Sequence, residues 1–384
     1  MIAHDFMVVH YAEIGIKGKN RSMFENRLVD NIRKALEGLE HKSVKRVTGR
    51  VLVELSKGSD EKKIARRLER VFGISGFSPC WSCKSSMKDI EGKALEVMKG
   101  KKGSFRVSAT RSWKQFKTNS NKVNEKVGAA IVKKYGLKVN LTKPKTNLFM
   151  EILNDRTLLY TERLSGPGGL PVGVSGKVVC LLSGGIDSPV AGILMMKRGC
   201  EVEFVHFQNE VAGGIGKMKQ MMATLEQYQP NARVHVVPFR TLQNEVIAKV
   251  KADYRMLVYR RFMLRIAERL TGKLKAKALV TGNALGQVAS QTTENIAAIE
   301  VAVSMPVFSP LIGFDKQEII ELAKRYGTYD ISIKPYEDCC TFMIAAHPQT
   351  RARVKDVDRM ERGLDINGMV EKALAGATVF KHSK

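Results

Sequence analysis

The chain has 384 residues, 44% of them hydrophobic, with 64 basic and 38 acidic side chains for a net charge of +26. That length calls for two or three domains, each able to bury a core, and six scattered cysteines (80, 83, 180, 200, 339 and 340) do not make a disulfide framework. No stretch approaches the roughly 18 apolar residues of a membrane span and no signal-like start is seen, so a cytoplasmic protein with no membrane partner is expected.

The charge is uneven. Residues 1–175 carry 35 basic and 17 acidic side chains, net +18, against +8 for residues 176–384, so the front half is the expected polyanion binder. Nucleic acid is favoured over a membrane because no basic run has a wide apolar face. Phe6–His10 reads as a strand, and Phe24, Leu28, Ile32, Leu36 and Leu39 recur at helical spacing through residue 39. Strands at 44–48 and 51–55 follow about Gly49-Arg50, then a helix over 60–72 stopped by Gly73 and an apolar segment at 74–77. The order βαββαβ is the ferredoxin-like pattern, which sets a first α+β domain at 1–76.

Residues 77–166 carry 19 basic and 7 acidic side chains, net +12. Helices are expected at 86–100 and 119–135, a strand at 105–109, and a hairpin of 148–153 with 157–161. Arg111-Ser-Trp-Lys-Gln-Phe-Lys117 alternates positive charge with aromatics, which makes Arg111, Trp113, Lys114 and Lys117 candidate RNA contacts. The plainer alternative is a solvated basic loop with Trp113 in the core. Cys80-Trp-Ser-Cys83 has metal, iron–sulfur or redox spacing, but a zinc site needs four ligands and no second pair lies nearby. An ordinary strand-end pair is the simpler expectation, and the sequence alone does not support an iron–sulfur cluster.

A glycine- and proline-rich link spans 167–175, and beyond it strands and helices alternate. Strands are expected at 177–182, 201–206, 233–237 and 277–281, with helices at 188–198, 216–229 and 243–270. That is a doubly wound parallel sheet, in which ligands sit at the carboxyl ends of the strands, so the 183–188 loop, His206-Phe207 and Thr281-Gly282 should converge. Ser183-Gly184-Gly185-Ile186-Asp187-Ser188 lies between a buried strand and a helix. Its glycines let backbone approach a ligand, and the unpaired amides and dipole of the helix start favour phosphate. Asp187 would repel phosphate directly, yet it suits a Mg²⁺ ion that bridges phosphate oxygens. The bland alternative makes Asp187 a plain helix cap. No Gly-Lys-Ser/Thr follows, so this is not a Walker A loop. Cys180, Cys200 and His235 lie in strand contexts that suit a core.

The 183–188 loop resembles the SGGxDS loop of the PP-loop ATP pyrophosphatases, which split ATP into AMP and pyrophosphate by adenylating a substrate oxygen. Further stretches narrow the likeness: Gly168-Gly-Leu-Pro-Val-Gly, Arg260-Arg-Phe-Met, Thr281-Gly-Asn-Ala-Leu-Gly-Gln-Val-Ala-Ser-Gln-Thr292, Pro310-Leu-Ile-Gly-Phe-Asp-Lys-Gln-Glu-Ile-Ile320 and Pro335-Tyr-Glu-Asp-Cys-Cys340. In this order they resemble the tRNA 4-thiouridine synthetase (ThiI) family over nearly the whole chain. The resemblance implies a ferredoxin-like domain, a THUMP RNA-binding domain at 77–166 and a PP-loop catalytic domain at 176–384, with tRNA as substrate and the uridine at position eight as target. It implies ATP contacts at Leu181, Leu182, Ser183, Gly184, Gly185, Asp187, Ser188, His206, Phe207, Arg260 or Arg261, Gly282 and Gln291. Asn283 departs from the glutamate usual there. It also implies Cys339 as the sulfur-bearing nucleophile, two positions after Glu337; Cys340, or the Cys80/Cys83 pair in its place, is then the expected partner that closes the resulting disulfide, and the plainer alternative makes Cys339 and Cys340 two small buried apolar residues. Some members end in a rhodanese domain; here 44 residues without cysteine follow Cys340, so the expected sulfur source is a cysteine desulfurase or free sulfide acting on the catalytic domain. The resemblance leaves open a role in thiamine synthesis and a homodimer. The rival readings are another PP-loop adenylating enzyme, acting on RNA or a small molecule, and a pure RNA-binding module.

Overall fold

A computed structural model describes residues 3–209, 214–335, 345 and 347–381. The chain divides into two compact units, Met1–Leu170 and Pro171–Lys384.

In the first unit β1 (Phe6–His10), α1 (Arg21–Ala35), β2 (Ser43–Val47), β3 (Arg50–Glu54), α2 (Glu61–Leu68) and β4 (Gly76–Cys83) follow the ferredoxin-like order. The strands lie β2-β3-β1-β4, all antiparallel. Period-2 alternation decides the layers: Met7 and Val9 pack on Leu28, Ile32, Ile64 and Leu68 of the two helices, while Phe6 and Val8 face the other side with Leu52 and Cys80. α1 ends four residues earlier than its apolar spacing implies. A turn, Leu39 N–H to Leu36 O at 2.9 Å, keeps both leucines against the core after the helix has stopped.

β4 is longer than the expected segment and carries two sheets' worth of pairing. Its first residues pair β1, and its last three pair β8 (Thr157–Tyr160), with Cys83 opposite Thr157. With α3 (Met87–Met98), β5 (Ser104–Arg111), α4 (Ser120–Tyr135), β6 (Lys138–Val139), β7 (Thr146–Ile152) and β9 (Leu164–Ser165), one nine-stranded sheet results. Ile90, Ala94, Val123, Val127 and Ile131 seat α3 and α4 on the portion of it that β5, β7 and β8 form.

The second unit contains β10 (Lys177–Leu181), α5 (Asp187–Lys197), β11 (Glu201–Gln208), α6 (Gly214–Leu225), β12 (Arg233–Pro238), α7 (Arg240–Lys249), α8 (Arg255–Leu274) and β13 (Leu279–Val280). It continues through α9 (Thr293–Glu300), β14 (Val307–Phe308), α10 (Lys316–Tyr326), α11 (Tyr329–Ser332), α12 (Val354–Glu361), α13 (Ile366–Ala375) and β15 (Thr378–Lys381). Strand order is β14-β13-β10-β11-β12-β15, the first five parallel. β15 adds an antiparallel edge that the strand pattern did not announce. The expected single helix over 243–270 is two. Val250 leaves the helical conformation, and the Arg255 guanidinium donates to the carbonyls of Val250 (3.1 Å) and Ile247 (3.0 Å), closing the end of α7. From β10 the chain winds one way to β11 and β12, and β13 and β14 lie on the other side. The switch point between β10 and β13 therefore opens a crevice at their carboxyl ends.

Candidate active site

That crevice is a cavity of about 520 Å³ lined by Leu181, Leu182, Ser183, Asp187, Ser188, His206, Phe207, Arg260, Gly282 and Gln291 among others. Gly184 and Gly185 make the tip of the loop between. Two serines knit it: Ser183 N–H donates to Ser188 Oγ at 2.8 Å, Gly185 N–H donates to Ser183 Oγ at 3.2 Å, and the two hydroxyls stand 3.0 Å apart. The loop is thereby shaped before any ligand arrives, with the first amides of α5 at its mouth. Gly282 is needed for a close approach. A Cβ there would stand 2.8 Å from Ser188 N and 3.0 Å from Asp187 C, so only glycine lets the exit of β13 lie against the start of α5. His206 and Phe207 fall within β11, which runs two residues further than expected, and His206 Nδ1–H donates to Leu182 O at 2.8 Å.

Asp187 is the one carboxylate on the cavity wall among the described residues. Its Oδ1 accepts from Lys316 Nζ at 2.7 Å and its Oδ2 from Gln287 Nε2 at 2.8 Å. The Asp187 side chain is 19% exposed and that of Lys316 44%. Of the adjacent arginines only Arg260 lines the cavity, donating to Ser290 Oγ at 2.9 Å and to Asn283 Oδ1. Arg261 lies about 100° further round α8. It is 1% exposed and donates to Ala298 O (2.7 Å), Asp358 (2.7 Å) and Glu361 (2.8 Å), so it ties α8 to α9 and α12 and does not reach the crevice. Asn283 is a buried neutral acceptor for Arg260.

Lys316, Gln287 and Ser290 were not singled out from sequence. Lys316 sits within the quoted Pro310–Ile320 stretch and Gln287 and Ser290 within the 281–292 stretch, which was the only signal available. A single carboxylate beside a phosphate cradle suits a hard cation that arrives with the phosphates, because magnesium takes one or two protein carboxylates and fills its shell with phosphate and water.

The cysteines divide by burial. Cys180 lies in β10 and Cys200 just before β11, both buried, and burial raises both thiols above their usual range. Cys80 and Cys83 share β4 but have opposite parity: Cys80 points into the layer with Phe6 and Tyr160, Cys83 packs toward α3 and α4. Burial raises both, Cys83 to about 12. They do not converge, and among the described residues no group of three or more His, Cys, Asp or Glu side chains gathers as a metal site. Cys339 and Cys340 lie outside the described residues.

In the first unit the aromatic-basic stretch is only partly displayed. Arg111 turns back to donate to Phe116 O at 2.6 Å, and Trp113 packs toward the α3/α4 core beside Phe116, ring centroids 6.0 Å apart. Lys114 and Lys117 are exposed. Arg111 and Trp113 are half-buried, so the stretch displays its two lysines most fully.

A glycine-rich loop and helix start at the switch point of a doubly wound sheet are the features of a nucleotide-dependent enzyme, and on the same chain the ferredoxin-like unit is strongly basic. The family model described as Thiamine biosynthesis protein (ThiI) matches residues 173–366, ThiI ferredoxin-like domain matches 6–78, and THUMP domain matches 84–162. A Brevibacillus brevis protein named probable tRNA sulfurtransferase is 40% identical over 379 residues, covering 97% of this chain and 95% of its own. One of the same name from Caldanaerobacter subterraneus is 41% identical over 372 residues, covering 96% and 97%. A crystal structure of a 4-thiouridine synthetase–RNA complex with bound ATP matches with a TM-score of 0.89 at 37% identity, covering 98% of this chain and 99% of that one. The chain belongs to the ThiI family of tRNA sulfurtransferases.

Proposed function

We propose that the protein converts the uridine at position eight of tRNA to 4-thiouridine, using ATP to activate the base and a cysteine-borne sulfur to replace its oxygen. The observation that carries this is Asp187 set in a preformed phosphate loop on the wall of the switch-point cavity, on a chain whose front 175 residues carry net +18. The relative described with bound ATP and RNA supports the same pairing of ligands.

The apolar wall of Leu181, Phe207, Met256 and Met263 suits a purine, and the 183–188 amides face the phosphates. Magnesium, when bound, supplies positive charge to the phosphates as pyrophosphate leaves. Asp187 is the residue that would hold that ion, and Lys316, exposed and at the start of α10, is the partner its carboxylate would give up to do so. Arg260, held by Ser290 and Asn283, keeps a fixed positive charge at the cavity. Uridine O4 attacks the α-phosphorus, pyrophosphate leaves, and C4 then carries AMP as a leaving group. A persulfide on Cys339 attacks C4, the C4–O bond breaks and AMP departs. Cys340 next attacks the Cys339 sulfur, which frees 4-thiouridine and leaves a disulfide that a thiol reductant must reopen. The outer sulfur of a cysteine desulfurase's persulfide reloads the reduced Cys339; sulfide does so only by attacking the Cys339–Cys340 disulfide in place of the reductant, which regenerates the persulfide and frees the Cys340 thiolate. Residues 1–76 and 77–166 hold the tRNA and 176–384 carry the chemistry.

Nucleosides digested from the tRNA of a deletion strain test this. Expression of the wild-type chain should restore 4-thiouridine and Cys339→Ala should not; restoration by Cys339→Ala moves the sulfur elsewhere.

A further inference from the structure

We propose that Gln287 is a positioning residue for Asp187: its amide nitrogen fixes the carboxylate, and its amide oxygen accepts a hydrogen bond from a water on the magnesium ion that Asp187 takes. This rests on the reading of Asp187 given above.

The loop that delivers Gln287 is closed on itself. Gly286 adopts a φ of +74°, its N–H donates to Gln291 O at 2.9 Å, and Gln287 N–H donates to Ala284 O at 3.3 Å. Leu285 N–H donates to Ile312 O at 3.1 Å, which ties the same loop to the segment leading into α10. From this base the Gln287 side chain reaches a residue 100 positions earlier and donates to Asp187 Oδ2 at 2.8 Å.

The carboxylate therefore has two unlike partners. Lys316 is a cation on a long, exposed side chain, and an arriving magnesium ion repels it. Gln287 is neutral and half-buried on a braced loop, so the same ion does not displace it. When Lys316 leaves, Gln287 keeps the carboxylate aimed, with Oδ1 open toward the metal.

The second observation is the other end of the amide. Gln287 Oε1 is buried and has no hydrogen-bond partner among the described residues. A buried carbonyl oxygen without a donor is destabilising, and a ligand that brings a donor relieves it. Magnesium keeps several waters when it binds through one carboxylate and phosphates, and those waters are strong donors. A donor to Asp187 and an acceptor for hydrated metal on one amide is what glutamine offers and neither glutamate nor methionine does.

Calorimetric titration of the full chain with ATP, once in EDTA and once in excess Mg²⁺, tests this in wild type, Asp187→Asn, Gln287→Met and Gln287→Asn. Gln287→Met should melt as wild type does, bind metal-free ATP within twofold of wild type, and lose about tenfold of the affinity gained with Mg²⁺. Gln287→Asn, which withdraws the amide by one methylene, should show the same selective loss and decides the matter if the methionine variant fails to fold. A full metal-dependent gain in the folded Gln287 variants overturns the proposal, and so does an equal loss with and without metal, which marks a merely structural loop. If that gain survives in Asp187→Asn, or is absent from wild type, the reading of Asp187 fails first. If Asp187→Asn loses the gain and the Gln287 variants keep it, only the present inference fails.

Discussion

Each unit pairs a carboxylate with one cation and with neutral donors, and the two are held to opposite ends. In the first unit Glu151 is buried, accepting from His10 Nε2 at 2.7 Å, from Tyr160 Oη at 2.6 Å and from Arg50, with its side chain 5% exposed. These partners come from β1, β3 and β8, so the charge clamps distant parts of one sheet. In the second unit Asp187 has one neutral and one cationic partner, and the cation is exposed. A buried ion pair is costly to break and therefore static, whereas an exposed one is worth little and exchanges readily. Burial separates a structural carboxylate from one available to a ligand.

The comparison breaks if the two carboxylates respond alike to removal. Glu151→Ala leaves Arg50 uncompensated in a dry site and should destabilise the first unit by about 3–5 kcal/mol, read as an earlier denaturant transition, while ATP affinity stays unchanged. Asp187→Ala should do the reverse: turnover falls about 10²- to 10³-fold with unfolding and tRNA affinity close to wild type. Gly282→Ala pushes a methyl group onto the backbone of Ser188 and should weaken ATP binding about tenfold, near 1.4 kcal/mol, in direct binding measurements.

His10 sharpens the contrast through pH. Burial, with the Arg50 and Arg163 guanidiniums nearby, lowers its pKa from 6.5 to about 4, so the folded ring stays neutral where the unfolded one takes a proton. The stability this contributes is fully present above about pH 6.5 and drains away as pH falls toward 4. Denaturation followed across that window should show the slope, and His10→Gln should flatten it. The smallest effect belongs to the strand cysteines. With Cys83 near 12, only about one thiol in ten thousand is ionised at pH 8, so alkylation should be slow and Cys80→Ala with Cys83→Ala should cost little turnover.

What could be read in advance follows from how local each signal is. The 183–188 loop was legible because strand, turn and helix start lie within a few residues, and β1 to β4 because each is a short pattern with its own turn. The break between α7 and α8 was not, since no glycine or proline marks it and the cap is made by the Arg255 side chain after the turn. Arg260 and Arg261 could not be separated because the phase of α8 against the sheet is set by tertiary packing. Lys316 and Gln287 reach Asp187 across 129 and 100 residues, a meeting that only the sheet order creates. The two-residue strands β6, β9 and β14 are too short for any period; β13, equally short, was expected over 277–281 from the alternation of strands and helices around it. Cys80 and Cys83 are the instructive case: an ordinary strand-end pair was the simpler expectation despite the Cys-X-X-Cys pattern, and their odd spacing on β4 puts them on opposite faces.

ATP–pyrophosphate exchange, run on the purified chain with and without unmodified tRNA, tests the central claim most directly. The claim is that the Asp187 loop adenylates a base in tRNA. Exchange that requires tRNA and disappears in Asp187→Ala is the predicted result. Exchange that proceeds as fast without tRNA, or persists in Asp187→Ala, contradicts it.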